Sequence, residues 1–167
     1  MSKTVYHVAG IALATAFACG LTVSANAQLI ARKDISTAMA LTIAETAVQT
    51  CKSQGYSVSV HVLGRDGEVL VAMRGDDTGP HTLENSMKKA YTSRAQRRPS
   101  GEFAAAVKDN PTAGALRLTN FVPAQGALPI KAGEDTVGAV GVSGAPGGDK
   151  DEACAKAGID KVAAELQ

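Results

Sequence analysis

The stretch from residue 137 to residue 154, VGAVGVSGAPGGDKDEAC, constrains the fold more than any other part of the chain. Its β-branched first part is typical of a strand, and the glycines and proline that follow favour a turn with little side-chain bulk. Asp149 followed three positions later by Glu152 predicts a capping box, in which both carboxylates satisfy free amides in the first turn of a helix. The same pair also fits a DxxE iron site, but capping already explains both residues. The stretch therefore predicts a strand, a tight turn and a helix in succession.

Hydrophobic periodicity divides the rest of the chain into helices and strands. Asp34 is the predicted cap of a first helix that ends near Gln54, and Asp66-Gly67 predicts the turn of a β-hairpin. The remaining predicted elements are a helix from residue 80 to before residue 99, helical segments at 100–107 and 111–118, strands at 127–131 and 136–143, and a last helix from 149 to about 166. This order predicts an α+β fold, a mainly antiparallel sheet with helices packed against it. The segment 119–125 is ambiguous.

The first 27 residues have the features of a secretory signal peptide. Lys3 supplies a positive charge, residues 8–23 are apolar and small, and an A-x-A cleavage pattern ends at Ala27. The apolar run is shorter than the ~20 residues of a transmembrane helix. A lipidated Cys19 is the weaker alternative, because no leucine stands in the three residues before it. We therefore expect cleavage after Ala27, a single domain over residues 28–167, and a periplasmic or secreted protein.

The charge of the mature chain is balanced. Removing Lys3 from the 17 basic residues leaves 16, against 16 acidic residues. This balance predicts no general attraction to nucleic acid, and no attraction to anionic membrane after signal cleavage. A local basic cluster contains Lys88, Lys89, Arg94, Arg97 and Arg98. We interpret it as a solvated helix face, with pairing to the carboxylates of a ligand as the alternative.

Two cysteines survive cleavage, Cys51 and Cys154. In an oxidising compartment such a pair predicts a disulfide that joins the first helix to the last. Closing a loop of 154 − 51 = 103 residues stabilises a fold by about 4 to 5 kcal/mol in the chain-entropy model. The alternative is two small buried thiols.

Several segments, taken in order, resemble one known family. They are YSVSVHVLGRDGEVLVAMR at 56–74, GPHTLENSMKKAYTSR at 79–94, GALPI at 126–130 and the glycine-rich stretch at 137–154. Together they are similar to the GlcG/HbpS-like family of haem-binding or haem-degrading domains, also found as the C-terminal part of PduO-type proteins. The resemblance implies a profilin-like sheet of about five strands and assembly into homo-oligomers. It also implies a haem ligand. The CxxCH attachment motif is absent from the sequence, so the expected haem is bound non-covalently.

The mature chain has two histidines, His81 and His61. His81 opens the second predicted helix, where the helix dipole disfavours protonation and keeps a ring nitrogen available for haem iron. Glu84, one turn on, is a possible second ligand if the metal is a divalent ion, although no third ligand appears at metal-site spacing. His61 lies in mid-strand, where a hydrogen-bonded structural role is the alternative to a ligand. It is our second choice for haem.

The leading hypothesis is an exported haem-binding protein that stores, senses or sequesters haem, with slow haem degradation and iron release as a side activity. Leu83 and Met87 would provide aliphatic walls for the porphyrin, and Lys88 or Arg94 would pair with a propionate. One alternative is a small accessory protein or enzyme of organic-acid catabolism that does not use haem, and another is a structural oligomer without a ligand. Catalysis itself has little support: Ser143 resembles a nucleophile elbow, but Ala145 stands where that motif needs glycine.

Overall fold

The computed structural model describes Met1 and residues 29–167, and this part of the chain contains four α-helices and four strands. The elements are α1 (Thr37–Ser53), β1 (Ser59–Leu63), β2 (Val69–Arg74), α2 (His81–Gln96), α3 (Ser100–Lys108), β3 (Ala127–Ala132), β4 (Asp135–Ser143) and α4 (Gly148–Lys161). None of the described helices has the length and apolarity needed to cross a membrane. The predicted signal peptide, except for Met1, lies outside the described residues.

The strands form one antiparallel sheet in the order β2-β1-β4-β3. The α+β class and the antiparallel pairing predicted from the sequence are confirmed. The sheet has four strands in the described part of the chain, where the family resemblance implied about five. The ambiguous segment 119–125 does not add the missing strand, because it forms turns and irregular backbone.

The two central strands are buried on both faces of the sheet. Val60 and Val62 of β1 lie beside Val140 and Val142 of β4 and point into the hydrophobic core with α1 and α4. Successive side chains of a strand alternate between faces. His61 therefore points the other way, toward α2. The sheet is thus enclosed between α1 and α4 on one face and α2 on the other.

The predicted disulfide is present in the core. Cys51 of α1 is bonded to Cys154 of α4, with 5.6 Å between their Cα atoms. Both cysteines are fully buried. The bond joins the first and last helices, as the sequence predicts.

Two predicted helix caps are wrong. α1 is capped by Ser36, whose hydroxyl accepts the amide of Met39 at 3.1 Å, while Asp34 pairs with Arg32 instead. α4 begins after Gly147 with no side-chain cap, so Asp149 and Glu152 do not form a capping box. The helix starts at Gly148, one residue earlier than the pattern indicates.

Candidate functional site

His81 is the first residue of α2, and its side chain is exposed. The imidazole lies over Gly79, where an added Cβ would be 2.9 Å from the His81 Cε1 atom and 3.1 Å from Nδ1. Thr82 holds this turn, because its amide and its hydroxyl both donate to the carbonyl of Gly79, at 3.1 and 2.8 Å. The exposed ring is therefore accessible from solvent on an anchored helical turn.

Glu84 follows His81 by one turn but is already paired. Its Oε1 lies 2.5 Å from Nζ of Lys88. That hydrogen bond and the positive charge of Lys88 lower the pKa of the Glu84 carboxyl. The described residues contain no group of three or more His, Cys, Asp or Glu side chains that could hold a metal ion. His81 and Glu84 thus have no third protein ligand beside them in this part of the chain.

The other predicted haem contacts are spread along and around α2. Leu83 and Met87 are half-buried, and Leu83, two positions from His81, faces another side of the helix. Arg94 lies 94 − 81 = 13 residues further on, a rise of about 20 Å, whereas Lys88 is about 10 Å along the helix. The structure therefore brings Lys88, and not Arg94, near His81.

The apolar groove expected beside Leu83 and Met87 is not among the clefts described for residues 29–167. Neither residue lines any of five well-formed clefts in residues 29–167. The most apolar of these clefts, about 620 Å³, lies between β3 and α4 and is lined by Leu128, Pro129 and Ile159 among others. It contains no histidine, so it offers no imidazole to an iron ion.

His61 is buried beneath α2, with 6% of its surface exposed. Its Nδ1 lies 2.8 Å from the Ser86 hydroxyl, and that hydroxyl donates to the carbonyl of Leu83 at 3.0 Å. While it donates to Leu83, the Ser86 hydroxyl can accept a hydrogen bond from a protonated Nδ1 of His61. Burial lowers the pKa of His61. These features fit the structural alternative: a haem ligand at His61 would require α2 to move.

A polar layer between α2 and the sheet was missed by the sequence analysis. Thr82, Ser86, Lys89 and Ser93 are all buried on the inner face of α2. Their spacing of four, three and four residues is the period of a helix face, so the signal was present. It was overlooked because the core was sought among apolar residues.

Lys89 belongs to this layer and corrects a prediction. The sequence analysis placed it on a solvated basic face, but its side chain is buried and its Nζ lies 2.7 Å from Oδ2 of Asp151. Nζ also donates to the carbonyl of Val142, and Oδ1 of Asp151 accepts the amide of Ala145. Burial raises the pKa of the Asp151 carboxyl, while Lys89 acts in the opposite direction. The pair ties α2 to the start of α4.

A family model described as haem-degrading protein HbpS-like matches residues 35–160. This match covers the four strands and the four α-helices except the last residue of α4.

Individual relatives agree with this match. An uncharacterized 15.0 kDa protein of Citrobacter freundii, from the dhaT-dhaS intergenic region, is 31% identical over 111 residues, which are 62% of this chain and 78% of that protein. A crystal structure of HbpS is 33% identical with a TM-score of 0.76, covering 80% of this chain and 93% of that one. A double mutant of Streptomyces reticuli HbpS is 31% identical with a TM-score of 0.77, covering 86% and 97%. A PduOC structure in complex with haem, 20% identical with a TM-score of 0.71 and covering 77% and 95%, shares the fold.

Proposed function

This chain belongs to the haem-degrading HbpS-like family, and from that premise we propose that it is an exported haem-binding protein. The family match over residues 35–160 is the observation that carries the proposal. The PduOC complex supports it at the level of the fold, because one chain of this architecture is seen with haem. The proposed cofactor is non-covalent haem.

We propose His81 as the axial ligand of the haem iron. Its imidazole is exposed at the N-terminus of α2, where a metal can reach it from solvent. Lys88, about 10 Å along the same helix, is the proposed partner of a propionate. It would have to exchange Glu84 for the haem carboxylate, and the exposed position of the Glu84 side chain makes their ion pair a weak one to replace.

The proposed haem site is a surface site, and this has a consequence for assembly. The outer face of α2 can cover only one face or one edge of a porphyrin, whereas haem sites normally have apolar walls on several sides. We therefore propose that a second copy of this chain supplies the remaining wall in a homo-oligomer.

The test is a hemin titration of residues 28–167, followed by the Soret band. We expect a shifted, saturable band in the unchanged protein and its loss in His81→Ala. The matched control is His61→Asn, which removes the other imidazole and should keep the band as long as circular dichroism shows a folded protein. A band that survives in His81→Ala overturns the ligand assignment, and the absence of a band in the unchanged protein overturns the proposed function.

The same samples distinguish holding haem from degrading it. A Soret band that stays constant over hours with a reductant present supports storage, sensing or sequestration. A decaying band with iron appearing in a chelator assay supports degradation. The finer function is thereby read from one titrated sample.

Export is proposed from the first 27 residues together with the disulfide, a bond typical of oxidising compartments. Intact mass of the protein recovered from a periplasmic or culture fraction tests it. We expect a chain that begins at Gln28 and lacks two hydrogens relative to the reduced sequence. A full-length chain, or two free thiols, contradicts export.

A further inference from the structure

Arg94, in the last turn of α2, is a half-buried cation that has no ion-pair partner among the described residues. It lines a cleft of about 160 Å³ with Arg65, Asp66, Gly67, Tyr91 and Ala95, where α2 meets the turn between β1 and β2. Its Nε is buried and has no hydrogen-bond partner within the described residues. Arg94 is also absent from the ion pairs of that part of the chain, all of which join other residues.

The carboxylates nearest to this cleft are already engaged. Asp66 is held by the guanidinium of Arg32, with 2.7 Å between Oδ2 and Nη2. Glu68 uses Oε2 to accept the amide of Asp66 at 2.9 Å. Arg65 is itself neutralised, since its Nε lies 3.3 Å from Oδ1 of Asp34. Of the two arginines that line the cleft, Arg94 is therefore the one without a partner in the described part of the chain.

The surroundings of Arg94 disfavour its charge. Burial, and then the positive charges of Arg97 and Arg65, lower the pKa of the Arg94 guanidinium, and Asp66 and Glu68 only partly offset this. An arginine remains protonated at neutral pH, so Arg94 cannot avoid the desolvation of its charge by losing a proton. A bound anion would supply the missing partner.

A purely structural role leaves this arginine unexplained. A basic residue in a last helical turn often donates to the free carbonyls there. In this helix, Arg98 supplies the carbonyl that the Ser93 hydroxyl contacts, and Arg97 takes the left-handed conformation that ends α2. The Nε of Arg94 makes none of these capping bonds.

We propose that this cleft binds a small oxyanion, a carboxylate or a phosphate, with the guanidinium of Arg94 as its planar, two-pronged donor. The cleft has the volume of about five waters at ~30 Å³ each, which suits one such group and excludes a porphyrin. It lies about 20 Å along α2 from His81, so it does not depend on the proposed haem site.

The test reads the Arg94 Nε–H directly by NMR in ¹⁵N-labelled residues 28–167. Acetate and phosphate are titrated in separate arms at constant ionic strength, with chloride as the balancing anion. We expect the Nε–H signal to move and to saturate, and the arm that saturates at the lower concentration identifies the chemical class. A signal that does not move with either anion, or that moves only linearly with both, overturns the proposal.

Variants separate the guanidinium from simple charge. Arg94→Lys keeps the charge and loses the planar donor, so we expect affinity for the preferred anion to fall at least tenfold, measured by calorimetry. Arg117→Gln, on the turn Gly114–Arg117 outside the cleft, is the matched control and should bind as the unchanged protein does. Equal affinity in all three proteins overturns the proposal. If Arg94→Lys does not fold, the direct NMR titration of the unchanged protein still decides.

The Soret titration with hemin is expected to be unaffected by saturating anion, so the two proposals fail separately.

Discussion

His61 is a titratable group whose protonation the fold disfavours. It lies between β1 and α2 with its Nδ1 bonded to Ser86, and burial lowers its pKa from the ordinary value of 6.5. In the unfolded chain the same imidazole is solvated and takes up a proton more readily. Because the unfolded state binds more protons below about pH 6.5, protonation shifts the equilibrium toward unfolding.

The stability of the protein should therefore fall as the pH falls below 6.5. Between pH 7.5 and 5.5 we expect His61 to account for a loss of about 1 kcal/mol, within the limit of about 1.4 kcal/mol per pH unit for one group. Urea unfolding at the two pH values measures the loss. His61→Asn should remove this part of the pH dependence, whereas His81→Ala should keep it. An equal pH dependence in the unchanged protein and His61→Asn would contradict the prediction.

Single residues also show where sequence analysis ends. The alternation of Val60, His61 and Val62 correctly indicated which side chains face the core, because a strand admits only two faces. The partner of Lys89 was not predictable, because Asp151 lies 62 residues away and the pair forms only after α2 and α4 reach the same end of the sheet. In the sequence, Lys89 is equally explained as part of a basic helix face, and Asp151 as part of an acidic first helical turn.

At the scale of elements, α2 packs on the sheet unusually closely. β4 presents Gly141 to the helix, where an added Cβ would lie 2.3 Å from the carbonyl oxygen of Ser86 and 2.7 Å from the amide nitrogen of Ala90. These are backbone atoms, so they cannot move aside as a flexible side chain would. The short separation in turn lets Asn85 donate to the Ser143 hydroxyl at 2.9 Å.

Gly141→Ala should consequently force α2 away from the sheet. We expect a loss of about 3 kcal/mol in the free energy of unfolding, at the upper end for an overpacked site. Gly114→Ala is the matched control, because nothing lies within 4 Å of its added Cβ, and its effect should stay within about 0.5 kcal/mol. Denaturant unfolding measures both. Similar values for the two variants would show that α2 does not need this approach.

Element types were predicted better than element ends. The hairpins and helices follow from periodicity, which a whole segment repeats. An end depends on a few hydrogen bonds, and here the tertiary structure decided them: Asp34 pairs with Arg32 and Arg65, so Ser36 is left to cap α1. The proposed haem site was harder still to predict, because its proposed walls involve a second chain that no periodicity in this one describes.

At the scale of the whole molecule, the two faces of the sheet are held by different means. α1 and α4 pack on an apolar face, around Ile43, Ala47 and Ala155, and are also joined covalently. α2 is held on the other face by hydrogen bonds and a buried ion pair. Removing one partner from such a polar interface costs more free energy of unfolding than the complete set of bonds contributes, because the other partner is left buried and unsatisfied. The disulfide is therefore a stabilising feature that does not depend on α2.

Removing the disulfide should cost about 4 kcal/mol, because the bond closes a loop of 103 residues in the unfolded chain. The double variant Cys51→Ala, Cys154→Ala tests this by urea unfolding of residues 28–167. Reductant should lower the urea midpoint of the unchanged protein to about that of the double variant. It should leave the midpoint of the double variant unaffected, since the variant has no disulfide to break. A midpoint of the unchanged protein that does not respond to reductant would contradict the prediction. The disulfide stabilises the protein by restricting the unfolded chain rather than by making native contacts, so the Ser86 contact of His61 should persist in the double variant. The free energy of unfolding of the double variant should therefore show the same loss between pH 7.5 and 5.5 as that of the unchanged protein.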